Sequence, residues 1–170
     1  MKKYIWLCLL AIGMISCDRL TINQIEGTYS YKTSGILTVT DNDNKKTYDI
    51  NVDNIMGTLD IQRLPQGDSV LLAFNEFNGD VVTVRARVKG DSILMPMYQK
   101  VFSLTSEAGS SWFLVNRTTT SDYIVSIIGD GFIMNNMIVF NQRILAGKIM
   151  DSDKSQSVKS NNVQTVAKKN

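Results

Sequence analysis

The side chains able to do chemistry in this chain are few and of restricted kind. The 170 residues include no histidine and only two cysteines, Cys8 and Cys17, which removes the commonest general base and the commonest metal ligand. Three glutamates, Glu26, Glu76 and Glu107, join the aspartates Asp60, Asp122 and Asp130 near strand ends or turns. A glycosidase would need two of these in facing positions, and no spacing in the sequence locates such a pair. Serines are plentiful, but a serine nucleophile needs an activating base, and without histidine only lysine or a carboxylate remains to serve. There is no phosphate-cradling glycine loop and no nucleophile elbow. The chain therefore does not read as an enzyme, and neither a metal nor a cofactor is expected.

Two polar constellations have bland readings. Asp41-Asn42-Asp43-Asn44-Lys45 begins like a calcium loop, but Lys45, Lys46 and Val52 stand where a ligand, a glycine and a bidentate glutamate are required. A polar hairpin tip is the expectation there. Arg85 and Arg87 lie two apart and so share one face of a strand, where they would either grip an anion or sit on a solvated outer surface; the second reading is preferred. Asn116-Arg117-Thr118 fits the glycosylation tripeptide, and an accidental match is the preferred reading.

The remaining candidates are apolar. Tyr98, Phe102, Trp112 and Phe132 are the candidate ligand-binding residues, with Phe113, Phe140, Met95, Met97, Met134 and Met137 supplying further surface in the later half. Such residues line β-barrel interiors that hold a small hydrophobic molecule, and they equally fill a core with no ligand.

The elements that must position these residues are strands. Tyr48, Ile50 and Val52 alternate with Thr47, Asp49 and Asn51, and Leu59 and Ile61 with Thr58, Asp60 and Gln62, the period of two expected of a half-buried sheet. The clearest hairpin joins residues 69–77 to 81–88 through Asn78-Gly79-Asp80. Lys89-Gly90-Asp91 is a second turn, Thr33-Ser34 and Gly129-Asp130-Gly131 two more, and Pro96 marks an edge or a bulge. About eleven short strands result, with residues 143–150 as the last, no amphipathic helix, and an antiparallel up-and-down barrel as the expected fold, a β-sandwich being the alternative. From Asp151 the sequence loses its aromatics and most apolar residues, so residues 151–170 read as a disordered tail.

The N-terminus sets location. Lys2 and Lys3 precede an apolar run from Tyr4 to Ile15, too short to cross roughly 30 Å of hydrocarbon but suited to an export signal. Met14-Ile15-Ser16-Cys17 resembles the lipobox of bacterial lipoproteins, with Met14 in place of the usual leucine. That resemblance implies diacylation of the Cys17 thiol and cleavage before it. Residues 1–16 are then the signal peptide, 17–26 the lipidated anchor and leader, and 27–150 the domain. With Lys2 and Lys3 removed, sixteen basic side chains balance sixteen acidic ones, so no bulk field draws nucleic acid. The domain is expected outside the cytoplasm, on a membrane, with the outer membrane preferred.

Gly27-Thr28-Tyr29 resembles the opening glycine-x-aromatic signature of the lipocalin/calycin superfamily, with tyrosine in place of tryptophan. Ser121-Asp122-Tyr123 is similar to its later Thr-Asp-Tyr, and Arg143 takes the place of the arginine that packs across the first-strand aromatic. The long C-terminal helix of lipocalins is absent from the pattern, and Lys32 to Gly35 leave no room for the helical lid of fatty-acid-binding proteins. The resemblance implies a calycin-like β-barrel and a noncatalytic binding module for a small hydrophobic ligand; an adaptor for an envelope protein or glycan is the alternative.

Overall fold

A computed structural model of the chain describes residues 22–43, 45–108, 117–150 and 156–170. Residues 1–16, expected to be a signal peptide, lie outside the described residues, as do Cys17 and Trp112. One helical turn at residues 22–25 leads into eight strands: β1 (Gly27–Asp41), β2 (Lys46–Arg63), β3 (Ser69–Glu76), β4 (Val81–Lys89), β5 (Ser92–Ala108), β6 (Arg117–Met134), β7 (Met137–Ile149) and β8 (Gln156–Lys169). Each strand pairs antiparallel with the next. β1 also pairs with β8, so the sheet runs round a ring in sequence order. No helix among the described residues is long and apolar enough to cross a membrane.

Alternation explains which side chains face inward. In β4, Val84, Ala86 and Val88 are buried while Thr83, Arg85 and Arg87 are exposed, because a pleated strand sends successive side chains to opposite faces. The turns expected at residues 78–80 and 89–91 are present. Gly79 and Gly90 there adopt φ of 96° and 57°, which glycine reaches without a Cβ penalty. The Asp41 to Lys46 segment is a hairpin tip in which the Asp43 N–H donates to Asp41 Oδ1 at 3.0 Å.

Eight long strands replace the eleven short ones expected, because features that resemble turns lie inside strands. Thr33-Ser34 is a bulge in β1, with the register shifting between Thr33 and Gly35. Gly129-Asp130-Gly131 is not a turn but the middle of β6. A Cβ on Gly131 would stand 2.7 Å from the Phe140 ring opposite, so the glycine makes room for an aromatic rather than reversing the chain. The reversal occurs at Asn135-Asn136, where Asn135 takes φ of 52°, a conformation asparagine tolerates. Asp122 and Tyr123 likewise lie within β6 and not ahead of a strand.

The reading of residues 151–170 as a disordered tail is corrected for residues 156–169, residues 151–155 lying outside the described residues. β8 occupies residues 156–169 and closes the ring between β1 and β7. Its polar composition hides an alternation that shifts by one residue in mid-strand: Val158 and Ser160, then Val163, Thr165 and Ala167, are buried while Lys159, Gln164 and Lys168 face out. The domain therefore extends to Lys169. Arg143 is corrected with it, since its exposed side chain leaves β7 outward. Lys169, directly opposite Tyr29 on β8, places Nζ 5.8 Å from the Tyr29 ring centre and donates to the Gln24 carbonyl at 2.7 Å.

Two apolar clusters fill the interior. One end holds Tyr29, Leu59, Ile61, Leu72, Phe74, Ile93, Phe140 and Ala167, closed by Ile22 and Ile25 of the helical turn. The other holds Leu37, Val39, Val52, Phe102, Tyr123, Val125, Ile127, Val158 and Val163. Ile55 and Tyr98 touch both.

Candidate functional site

Between the two clusters, inward positions are polar on strand after strand. β1 places Thr33 after Tyr31, β7 places Gln142 between Phe140 and Ile144, and β8 places Thr165 between Val163 and Ala167; all three polar residues are buried. Gln142 Nε2 donates to the Tyr98 hydroxyl at 3.0 Å, Thr165 Oγ1 donates to Gln142 Oε1 at 3.4 Å, and the Thr33 and Thr165 hydroxyls are 2.6 Å apart. With the Thr165 proton engaged on Gln142, Thr33 is the donor to Thr165. The chain Thr33, Thr165, Gln142, Tyr98 thus crosses the ring as one directed relay of hydrogen bonds.

The other part of this belt is charged. Glu76, the last residue of β3, forms an ion pair with Lys100 of β5, their side chains 6% and 9% exposed. The Lys100 ammonium also lies 5.0 Å from the Phe102 ring centre, a distance at which the ring face attracts a cation. Tyr31 completes the belt. It is 4% exposed, and its hydroxyl has no hydrogen-bond partner among the described residues. Burial, then the charge of Glu76 and then Tyr98, push its phenol well above the ordinary tyrosine range. Burial does the same to Tyr98, with the Gln142 hydrogen bond opposing it.

A cleft in the wall shares one residue, Lys100, with this belt. β4 and β5 pair only over Arg87–Leu94, Val88–Ile93 and Lys89–Ser92. Pro96 then interrupts β5, and the register against β6 shifts between Met95 and Tyr98, as expected where a residue lacks an N–H to donate. Past the bulge, β5 separates from β4 and leaves a cleft of about 260 Å³ lined by Asp80, Val81, Val82, Gln99, Lys100, Val101 and Ile124. Its walls are mainly aliphatic, and Lys100 belongs both to the cleft and to the belt. A second, outer groove of about 620 Å³ lies on the other side of the bulge, bordered by Asp68, Arg85, Arg87, Leu94 and Pro96.

The candidate residues from the sequence are scattered by this arrangement. Phe102 is 1% exposed and packs the core, and Tyr98 is half-buried with its hydroxyl in the relay. Phe132 is 44% exposed on the outer face, next to Gly131 whose side is inward, so its place among interior binding residues is corrected. Met97, Met134 and Met137 also point outward, whereas Met95 and Phe140 are core. Arg85 and Arg87 lie on the solvated face as preferred; Arg87 Nη2 is 2.7 Å from Asp68 Oδ2 in a surface ion pair, which holds the Asp68 carboxyl below its usual range.

Glu76 was named only among the scattered carboxylates, and Lys100 and Tyr31 were not singled out by the sequence. Their signal was polar residues at inward phase in otherwise apolar alternations, as in Phe74-Asn75-Glu76 and Phe140-Asn141-Gln142. Among the described residues, no three acidic, cysteine or histidine side chains converge to hold a metal ion. What the site offers is hydrogen-bond donors around one neutralised charge pair. No protein-family model matches this chain, and neither does any curated protein.

Proposed function

We propose that this chain is a bacterial envelope lipoprotein, anchored through Cys17, whose domain is an up-and-down barrel of the lipocalin/calycin kind acting as a noncatalytic binding module for a small hydrophobic ligand. The barrel reading is supported by the pairing of β1 with β8 and by a cation lying over the first-strand aromatic, Lys169 over Tyr29. The observation that carries the function is a side cleft with mainly aliphatic walls that is lined by Lys100, whose partner in a nearly buried ion pair is Glu76. A buried ion pair stabilises a fold poorly, since apolar replacement is often neutral or favourable by about 1–4 kcal/mol. Its position beside the cleft fits recognition better than packing.

The ligand then sits at the side of the barrel rather than along its axis, because Phe102, Phe140, Tyr29 and Leu59 already fill the two interior clusters. Glu76 faces an ammonium and not a second carboxylate, which argues against a glycosidase pair there. Native mass spectrometry of the purified protein tests the reading. Copurifying lipid, lost on filling the cleft with Val82→Trp, is the expected result; a ligand-free protein unaffected by that substitution would refute it. The outer groove favours the second reading, an adaptor for an envelope protein or glycan, in which crosslinks to a partner are lost on Arg85→Glu while the side cleft stays empty.

A further inference from the structure

The charge and donor balance of the belt restrict what the cleft can accept. Glu76 and Lys100 neutralise each other, both nearly buried, and the two phenols that share the belt, Tyr31 and Tyr98, are held in their neutral form. A carboxylate or phosphate arriving there would meet an ammonium already paired and a glutamate of like charge a few ångströms away, leaving one uncompensated negative charge in a site withdrawn from water. A cationic head would face the mirror problem at Lys100. An uncharged head leaves the balance intact.

A donor and an acceptor of the belt both lack a hydrogen-bond partner among the described residues, since Glu76 Oε1, which faces the Lys100 ammonium, is buried without one. The Tyr31 hydroxyl has no partner among the described residues. The Tyr98 oxygen accepts from Gln142 and keeps its own proton to give. The Lys100 ammonium carries three N–H groups, of which the Glu76 contact uses part. A hydroxyl-bearing head, whose oxygen accepts and whose proton donates, would satisfy the donors and the free acceptor together. The aliphatic walls formed by Val81, Val82, Val101 and Ile124 suit methylenes, and about 260 Å³ is below the roughly 300–1,000 Å³ of sites for drug-sized ligands. That space holds a small head and the first part of one chain.

We propose that the cleft between β4 and β5 binds a single-chain amphiphile with an uncharged, oxygen-bearing head, of the monoacylglycerol or fatty-alcohol class, its head oxygens meeting Lys100 at the cleft floor and Tyr31 and Tyr98 behind it. This inference rests on the reading of the protein as a binding module and adds the class of ligand. Calorimetric titration of the purified full chain with monodecanoin, decanoate and decylamine, each below its micelle concentration, tests it.

Monodecanoin is expected to bind about tenfold or more tightly than either charged probe, the equivalent of roughly 1.4 kcal/mol. Tyr31→Phe, which keeps the ring and removes one donor, should weaken monodecanoin by about two- to tenfold, and Val82→Trp should abolish it. Circular dichroism verifies that each variant is folded; should the bulky one fail that check, Tyr31→Phe decides. Decanoate binding as tightly as monodecanoin, or an unchanged affinity in Tyr31→Phe, overturns the head-group assignment while the binding-module reading stands. Binding of none of the three probes overturns both.

Discussion

Tyr31 joins stability to pH at the scale of one atom. A buried hydroxyl without a partner costs about 1–3 kcal/mol, so Tyr31→Phe is expected to leave the protein at least as stable at neutral pH, even as it weakens ligand binding. Because burial first, and Glu76 next, raise its pKa, the folded state keeps the phenol proton at pH values where an unfolded chain, with its tyrosine near 10, has released it. Stability contributed by the neutral phenol is thus full below about pH 10 and declines above it. Urea melts at pH 7 and pH 10.5 should show an alkaline loss that is smaller in Tyr31→Phe than in the parent; equal losses would remove Tyr31 as the cause. Aromatic positions differ as sharply. Phe102→Ala should cost about 3–5 kcal/mol through the cavity it opens, and Phe132→Ala about 0.5 kcal/mol or less, because its ring is already half in solvent.

The Glu76–Lys100 pair shows how two residues tie elements together where the backbone does not. β4 and β5 share only three paired positions, and the ion pair reaches from the end of β3 to β5 beyond the bulge. Glu76→Gln alone should destabilise by about 3–5 kcal/mol, because it strands the Lys100 ammonium, while adding Lys100→Met to it should restore most of that loss. A double-mutant cycle by chemical denaturation reads the coupling, and additive effects would mean that the two charges do not act as a pair. β8 is the element whose loss matters most, since it pairs with β1 on one side and β7 on the other. Val163→Asp puts a charge at a fully buried position, and truncation at residue 155 opens two strand edges at once. Either change should abolish the cooperative unfolding transition, because the cost of several kcal/mol is comparable to a typical total stability of about 5–15 kcal/mol. A truncated protein with an intact melt would show that the ring is stable without its last strand.

At the scale of the whole molecule, balanced charge and a side cleft fit the proposal that a lipid on Cys17 supplies location and the domain supplies recognition. Cys17→Ser should move the protein from the membrane to the soluble fraction and eliminate fatty-acid labelling. Persistent labelling would rule out Cys17 as the acylated residue. The surface charge is balanced, so membrane association in the parent should be insensitive to salt, in contrast to a protein held by a basic patch.

What the sequence by itself determined was local and periodic. Alternation in Tyr48 to Val52 and in Val82 to Val88, with glycine and asparagine at residues 78–80 and 89–91, was enough for an antiparallel all-β domain and two of its turns, because pleat and turn geometry depend on neighbours along the chain. Strand ends were less legible. Gly129 and Gly131 looked like turn residues, and only the approach of Asn141 and the Phe140 ring shows that they clear space inside a sheet. β8 was hidden because its apolar residues are few, and their sufficiency depends on pairing with strands more than a hundred residues away and barely a hairpin away at once. The candidate site was decided by tertiary structure alone. Glu76 and Lys100 are ordinary charged residues in sequence, and they become a buried pair only because the bulge at Pro96 turns β5 away from β4 and brings Lys100 to the end of β3.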